Sequence, residues 1–544
     1  MALTATSLAA LGLLVLLFLQ LRPRSVKVPK GLRLPPAPRG LPLLGNTLQL
    51  ERHPKHQLRQ WARTLGDVFS LKIGGYNFVL LCSPEAIKGI MDKQAAATSS
   101  RPPFPASHQA AAGGMRTLLM EYNPRWRKLR TIVHRLTTPK VSDSMRPSQE
   151  FEAKQLAYDI LTDNAGGDNF YTHCRRYTTS VVMTATYGKR IATWENEDVK
   201  QVYQIMKELS VAAPPFGFLA DTFPILLKLP MWMQTWRKRA AKYYKHQEDL
   251  WTRLFEELKT HMAEGVAPDC FVKQLIETDL KNNKVSDIEA AFVSGSMIEA
   301  GSETTASSLN TLLKHIAAYP RVQDVANEEL TRVVGEDRSP TFEDFDSLLY
   351  VRAITREIMR LKPPNTNVGV PHYSTEDVIY KDFFIPKGTM VTLAQLVVQN
   401  DDRYDDPFEF RPERFMKNNY RFGQASTLAD AAERDHFSFG VGRRICPGLH
   451  IAENSLFITV AKILWAFELK PPLDANGKEE PIDISDDAFE EGAILVPRVY
   501  RLRFIPRSPG REKVIRREWE QAKRDGFWLG DIKVTVDGML QRAA

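Results

Sequence analysis

The sequence is poor in cysteine: its 544 residues include only Cys82, Cys174, Cys270 and Cys446. None of the four lies near another along the chain, and a single thiol cannot complete a tetrahedral zinc site. Isolated cysteines also indicate a reducing compartment, where thiols stay free. The spacing therefore favours a role for a single thiol over a disulfide or a zinc site built from several cysteines.

Linkers and repeats are also missing. Between residues 50 and 500 no Gly/Ser-rich stretch or internal repeat divides the chain, although its length alone would allow three or four domains. The composition, 43% hydrophobic and 25% charged, suits a large buried core and does not indicate disorder. We therefore expect one large domain.

The chain is basic, with a net charge of +8, but it has no Lys/Arg tract with interleaved aromatic residues. A basic protein can bind nucleic acid, yet without a recognition motif we expect no nucleic-acid partner. A local basic cluster suits an acidic protein partner by charge complementarity, although a solvated helix face is an equal alternative. The cluster consists of Arg125, Arg127, Lys128, Arg130, Arg135 and Arg443.

Charge is absent from the first 20 or so residues, about the length that spans a bilayer. A cleaved signal peptide is the alternative, but the positive residues follow the apolar run instead of preceding it. We predict a transmembrane anchor over residues 2–21 and a basic, proline-rich hinge over 22–46. The positive-inside rule then keeps the rest of the chain in the cytosol.

One cysteine lies in a glycine-rich loop. From Phe439 to Gly448 the chain reads Phe-Gly-Val-Gly-Arg-Arg-Ile-Cys-Pro-Gly, so that Arg444 stands two residues before Cys446. A lone thiolate can be the axial ligand of haem iron, where it pushes electron density onto the metal and favours O–O cleavage. On its own, a lone cysteine in a glycine-rich loop fits better a surface turn with a buried free cysteine.

A long helix is predicted around a second motif. Ser286 followed by Glu289 forms a capping box, and Pro320 ends the periodic run, which makes a helix near 50 Å long at about 1.5 Å per residue. Gly301 in its middle costs about 1 kcal/mol relative to Ala, so we expect another group, such as haem with oxygen, against its backbone. Thr304 can bond to a carbonyl four residues earlier or turn into a pocket.

A third pattern pairs Glu357 with Arg360, whose spacing of three places both on one helix face. A solvent-facing ion pair of little energetic value is the alternative. Farther along, Arg414 lies in the run Phe-Arg-Pro-Glu-Arg-Phe from Phe410 to Phe415.

Together these motifs resemble the cytochrome P450 haem-thiolate monooxygenase family. Phe439, Gly442, Arg444, Cys446 and Gly448 match every fixed position of its signature Phe-x-x-Gly-x-Arg-x-Cys-x-Gly, and the other motifs follow in family order. The resemblance covers about residues 30 to 505. The layout is of the microsomal type and looks most like fungal members of secondary metabolism.

The resemblance implies a mainly α fold with a small β-sheet subdomain. It places one haem-thiolate monooxygenase domain at residues 47–506 behind the transmembrane helix, and leaves a C-terminal extension of unknown role at 507–544. Residues 67–81 read as two strands around a Gly-Gly turn. The apolar stretch 214–236 reads as a mobile lid that admits substrate, with an ordinary core helix as the alternative.

The resemblance also assigns roles to residues. The cofactor is haem b, and Cys446 is the axial ligand of its iron, with Phe439 beside it. Glu303 and Thr304 are the catalytic residues that manage protons. The propionates are bound by Trp126, Arg130, His372 and Arg444, whereas Glu357, Arg360 and Arg414 form a buried network under the haem pocket.

The function implied is insertion of one oxygen atom of O2 into an apolar small molecule. Electrons come from NADPH through NADPH-cytochrome P450 reductase, with cytochrome b5 as a further candidate donor. Relatives of this layout are single-pass proteins of the endoplasmic reticulum membrane whose catalytic domain faces the cytosol. The alternatives are a haem-thiolate isomerase or dehydratase that acts on a peroxide, and a membrane-tethered haem binder without catalysis.

Overall fold

The computed structural model describes residues 26–41, 44–50, 54–163, 169–213, 217–282, 284–365, 369–492 and 494–542. The predicted membrane anchor at 2–21 lies outside these residues. Within the described ranges, no helix combines the length and the apolar character that crossing a membrane requires.

Helices dominate the described part of the chain. The α-helices are α1 Lys55–Leu65, α2 Pro84–Ile87, α3 Ala95–Thr98, α4 Pro124–Leu136, α5 Pro139–Ser144, α6 Arg146–Thr162, α7 Phe170–Tyr187, α8 Glu197–Ala212, α9 Leu219–Thr222, α10 Trp236–Ala263, α11 Phe271–Leu275, α12 Asp287–Ala318, α13 Pro320–Val333, α14 Leu349–Leu361, α15 Gln395–Gln399, α16 Phe422–Ser426, α17 Leu449–Ala466 and α18 Pro509–Asp525. Short 3₁₀ or π turns cover Lys88–Asp92, Pro105–Ala110, Pro224–Lys228, Met231–Met233, Ile276–Leu280, Phe342–Asp344, Pro412–Phe415, Ala431–Glu433, Gly442–Arg444 and Asp486–Ala488.

The strands are short and form small sheets. They are β1 Val68–Ile73, β2 Tyr76–Leu81, β3 His372–Tyr373, β4 Val378–Tyr380, β5 Phe383–Ile385, β6 Met390–Leu393, β7 Phe467–Lys470, β8 Phe489–Glu491, β9 Leu495–Pro497, β10 Arg503–Pro506, β11 Phe527–Leu529, β12 Ile532–Val534 and β13 Leu540–Arg542. The largest sheet has the order β1-β2-β6-β3, and its β1–β2 hairpin is the predicted one. The expectation of a mainly helical fold with small sheets is confirmed.

Helix α12 forms the centre of the molecule, and its ends follow from local chemistry. The Ser286 hydroxyl accepts the Glu289 N–H, and Glu289 accepts the Ser286 N–H, which satisfies two donors that a helix start leaves free. The helix ends at Ala318, two residues before Pro320. The predicted boundaries are therefore confirmed.

The burial of α12 leaves one face of the helix open. The helix packs closely against α7 and also contacts α10 and α17. Between residues 290 and 317 only one stripe keeps solvent access, and it consists of Ser296, Met297, Ala300, Gly301 and Thr304. Residues spaced by three and four share a helix face, so one face of the helix is open to solvent while the rest is enclosed.

The described part of the predicted lid, residues 217–236, consists of the short helix α9, two 3₁₀ turns and connecting residues up to the start of α10 at Trp236. Its side chains Met231, Trp232 and Met233 are exposed, Trp232 by 80%. Phe218, in contrast, is buried against Trp236 and Tyr243. Residues 214–216 lie outside the described part of the chain.

Candidate active site

The cysteine loop has the backbone that its glycines permit. Gly440 and Gly442 have φ of 73° and 60°, in the region that side chains disfavour, and a Cβ on Gly442 would come within 3.0 Å of the Met91 carbonyl oxygen. The Cys446 N–H donates to the Phe439 carbonyl oxygen at 2.8 Å. The loop therefore folds back on itself and presents the thiol at the start of α17.

The surroundings of Cys446 act on its charge in both directions. Burial raises the pKa of the thiol, while the backbone N–H of Gly448 and the guanidinium of Arg130 lower it. The N-terminal end of α17, which starts at Leu449, adds the partial positive charge of a helix terminus. A bound metal would overcome the effect of burial on the thiol, because a thiol that coordinates a metal is deprotonated.

Phe439, the first residue of the loop, packs against two other rings, and its predicted place beside the cofactor stays a prediction. Its ring lies 5.4 Å from that of Phe422 and 5.7 Å from that of His436, measured between centroids. The ring belongs to the margin of the main hydrophobic core. Its contacts hold the loop against that core.

Arg444 occupies the middle of a partly buried basic cluster. Its Nε donates to the Ser99 carbonyl at 2.8 Å and its Nη2 to the Met120 carbonyl at 2.6 Å. The guanidinium also lies 3.9 Å from the centre of the Trp126 ring, whose indole N–H donates to the Thr117 carbonyl. Arg444 and Trp126, two of the four predicted propionate ligands, are thus adjacent.

Arg130 and His372 join the same cluster. Arg130 donates to the Ile445 carbonyl, next to the thiolate position. The Nδ1 of His372 lies 2.8 Å from the Thr98 carbonyl and must carry the proton of this bond, because a carbonyl only accepts. Burial lowers the pKa of His372, so the ring is neutral. Its Nε2 could donate to a carboxylate only if a nearby carboxylate caused the ring to take up a second proton.

Arg101 is a further member that no sequence motif marks. It donates to the carbonyls of Leu118, Val370 and Pro371, and it is 5% exposed. Burial lowers its pKa to about 9. The segment around it, Ser-Ser-Arg-Pro-Pro, is an unremarkable turn-rich sequence, so only the packing reveals its place.

This cluster fits the propionates of a haem. Three arginines have no carboxylate partner among the residues that the structure describes: Arg101, Arg130 and Arg444. Burial lowers the pKa of each, and that of Arg444 falls to about 8. Burying unpaired charge is costly. Two carboxylates placed here would offset two of these three charges, and a haem bound through Cys446 would bring two carboxylates.

A variant tests this assignment. Arg101→Gln is expected to speed haem loss about tenfold, because a hydrogen bond to a charged group is worth about 1.5–3 kcal/mol. Haem transfer to an excess of an apoprotein acceptor gives the rate. Arg127→Gln, an exposed change on α4, is the control. Equal rates for both variants would remove Arg101 from the propionate site.

Thr304 and Glu303 lie at different angles on α12. Thr304 belongs to the open stripe, and its hydroxyl donates to the Ala300 carbonyl at 2.6 Å. Of the two predicted positions of this hydroxyl, the structure shows the bond to the carbonyl four residues earlier. Glu303 is buried, and its Oε1 accepts from Arg175 of α7 at 2.6 Å. Burial raises the pKa of Glu303 even though Arg175 opposes that shift.

Gly301 serves a different contact from the one expected. A Cβ at this position would lie 2.6 Å from a methyl group of Val182 on α7. The close approach that the glycine permits is therefore that of α7. Gly301 also belongs to the open stripe with Ala300 and Thr304, so the expectation that haem with oxygen lies beside it stays a prediction.

The Glu357 network is present and fully buried. Arg360 makes two bonds to the Glu357 carboxylate, at 2.7 and 2.8 Å, and Arg414 approaches the same carboxylate at 3.3 Å. Arg360 also donates to the Gln399 carbonyl at 2.9 Å. The Gln399 side chain then accepts the Phe437 N–H at 2.7 Å, which ties the network to the cysteine loop.

Comparison with known proteins agrees with this geometry. The model of the family "Cytochrome P450" matches residues 35–488. The fold, the cysteine loop and this match define the class: a haem-thiolate protein with one axial cysteine. The chain belongs to the cytochrome P450 family, which confirms the resemblance, the haem cofactor and the prediction of an oxygenase enzyme.

Several fungal monooxygenases are similar over nearly the whole chain. Cytochrome P450 monooxygenase pgmC of Aspergillus terreus is 39% identical, covering 93% of this chain and 92% of its own length. Cytochrome P450 monooxygenase verL of Clonostachys rogersoniana is 38% identical, with 91% and 92% covered. Cytochrome P450 monooxygenase fogE of Aspergillus ruber is 34% identical, with 93% and 91% covered.

Proposed function

We propose that this protein hydroxylates, or oxidises in a related way, an apolar small molecule of fungal secondary metabolism. One oxygen atom of O2 enters a C–H bond of the substrate, and the other leaves as water after uptake of two electrons and two protons. The electrons come one at a time from NADPH through NADPH-cytochrome P450 reductase. Cytochrome b5 is a second candidate donor.

The acid–threonine pair on α12 carries this proposal. Thr304 lies on the open face of the helix, and the adjacent Glu303 has one buried oxygen, Oε2, without a hydrogen-bond partner among the described residues. A buried carboxyl group whose pKa is raised above its ordinary value is suited to take up a proton and release it. Reductive use of O2 needs such delivery.

The residues divide the work as follows. When bound, haem would supply the activation of oxygen, and the Cys446 thiolate would hold its iron. Arg101, Arg130 and Arg444 hold the propionates. Arg175 fixes the position of the Glu303 carboxyl group through its ion pair, and the Thr304 hydroxyl, on the open face, receives a proton and donates it into the pocket.

Two alternative functions need no external electrons. A haem-thiolate isomerase or dehydratase would rearrange a peroxide, and a haem binder without catalysis would only carry the group. Enzymes of the first kind usually lack the acid–threonine pair, which this chain keeps at Glu303 and Thr304. The pair therefore favours the monooxygenase.

The experiment starts from the substrate. Mass spectrometry should find the metabolite that accumulates when the gene is deleted, and purified protein with reductase, NADPH and isotopically labelled O2 should then add one labelled atom to it. Product formation without NADPH and reductase would favour the isomerase. No product under either condition would favour the haem binder.

Thr304→Ala provides the sharper mechanistic prediction. Loss of the hydroxyl removes a proton donor that contributes about 10²–10⁴ in rate, so we expect product per NADPH to fall about tenfold while NADPH consumption continues. The ratio of product to NADPH measures this. Thr304→Ser keeps the hydroxyl and should retain coupling; full coupling in the alanine variant would contradict the proton role.

We further propose attachment to the endoplasmic reticulum membrane, with the catalytic domain in the cytosol. The apolar run at 2–21 supports this, and so do the exposed side chains Met231, Trp232 and Met233, with Lys228 and Arg237 nearby. Apolar side chains flanked by cations suit a lipid interface. Fractionation of a tagged full-length chain, with and without residues 2–21, tests the proposal.

A further inference from the structure

The C-terminal extension, residues 507–542, contacts the helix that follows the cysteine loop. It consists of α18 and the small sheet β11-β12-β13. Val514 and Ile515 of α18 belong to the main hydrophobic core together with Leu456 and Trp465 of α17. The extension is therefore packed into the domain along its first half.

The start of the extension caps the end of α17. The last carbonyl groups of an α-helix have no partner within the helix. Here the Leu464 carbonyl accepts from Arg507 Nε at 2.8 Å, the Trp465 carbonyl from Arg511 Nη1 at 2.9 Å, and the Ala466 carbonyl from the Arg507 N–H at 3.0 Å. Three terminal carbonyls are thus satisfied from the extension.

The charges complement the dipole of this helix. The C-terminal end of a helix carries partial negative charge and its N-terminal end partial positive charge. Arg507 and Arg511 stand at the C-terminal end, and Cys446 lies just before the N-terminal end. Arg511 is only 2% exposed, so its charge is little screened by water.

A second buried contact lies one turn earlier on α17. Lys462, which is 2% exposed, donates to the Ser339 hydroxyl at 2.6 Å. The Ser339 hydroxyl and N–H both donate to the Glu518 carboxylate of α18, the latter at 2.9 Å. Ser339 therefore bridges a buried ammonium group on α17 and a carboxylate on the extension.

The charges of this bridge depend on each other. Burial lowers the pKa of Lys462 to about 8, and Glu518 opposes that shift. Burial alone would raise the pKa of Glu518, but Lys462 and Ser339 outweigh it and hold the pKa below its ordinary value. Removing the carboxylate would leave a buried cation without the strongest of its counter-charges.

We propose that Arg511 and Glu518 are positioning residues for the haem: they fix the far end of α17 and thereby hold Cys446 at the iron. Helix α17 has 18 residues and is about 27 Å long at roughly 1.5 Å per residue. A helix of this length moves as a rod, so a shift at Ala466 reaches the loop before Leu449. The extension thus has a role in haem ligation, beyond the proposed reaction.

Glu518→Gln tests the proposal in the full-length haem-loaded protein. At a raised temperature below global unfolding, we expect the red-shifted carbon monoxide band of thiolate haem to convert to the thiolate-free band about tenfold faster than in the wild type. The far-ultraviolet circular dichroism should stay unchanged over that time. Glu520→Gln, an exposed change on the same helix, should behave as the wild type.

The double variant Lys462→Met with Glu518→Gln should regain most of the lost thiolate lifetime, because it removes the unpaired buried charge. If Glu518→Gln cannot be purified folded, Arg511→Lys, which keeps the charge but loses the fork of donors, is measured in the same way. Equal band lifetimes in the variant and in Glu520→Gln would overturn the proposal. So would band loss that merely accompanies loss of helix signal, since that would indicate general stability alone.

Discussion

Cys446→Ala is expected to abolish the red-shifted carbon monoxide spectrum of the reduced protein completely. The thiolate donates electron density to the iron from its axial position, and alanine has no atom that could replace it. The structure contains no nearby substitute among the other described cysteines, since Cys82, Cys174 and Cys270 are buried elsewhere and free. Spectra of matched, haem-supplied preparations measure the effect.

Cys82→Ala is the matched control for this prediction. Its thiol is buried, and burial raises its pKa well above the ordinary value, so it remains a neutral packing group. We expect this variant to keep the thiolate spectrum with its full amplitude. A red-shifted band that survived in Cys446→Ala would remove the ligand assignment and, with it, the site described above.

Glu357→Gln is expected to lower the free energy of unfolding by about 3–5 kcal/mol, the usual cost of breaking a buried ion pair from one side. Glutamine keeps the volume but leaves Arg360 and Arg414 without their shared counter-charge. Because Gln399 links Arg360 to Phe437, the cysteine loop should loosen too, and haem content should fall with stability. Urea denaturation of haem-loaded protein measures the loss.

Asp249→Asn gives the comparison for an exposed ion pair. Asp249 bonds Lys245 on the outer face of α10, where both side chains are more than half exposed. Pairs of this kind contribute little, so we expect the urea midpoint to stay at the wild-type value. A Glu357→Gln midpoint that matched this control would show that the buried network is dispensable.

Much of the helical frame could be predicted from local sequence. The bounds of α12 follow from a capping box at Ser286 and a proline at residue 320, and the β1–β2 hairpin follows from Gly74 and Gly75. These signals act within a few residues, so no knowledge of packing is needed. The Glu357–Arg360 pair was also visible, although its complete burial was not.

The contacts of a single residue were harder to predict when its partner lies far away along the chain. Gly301 looked like a place for haem, but the atom that it accommodates belongs to Val182. Glu303 is paired with Arg175, 128 residues away, and Arg101 donates to carbonyls about 270 residues away. No periodicity or spacing carries such information.

The sequence by itself determined the family, the axial cysteine and the order of the motifs, because each motif is a short run whose chemistry is local. Only the tertiary structure decided which charges are compensated. It placed Arg101, Arg130 and Arg444 together with no carboxylate partner in the described part of the chain, paired Glu303 with Arg175, and brought Arg511 and Glu518 to the far end of α17. The physical reason is that the energy of a buried charge depends on neighbours that folding, and not chain order, supplies.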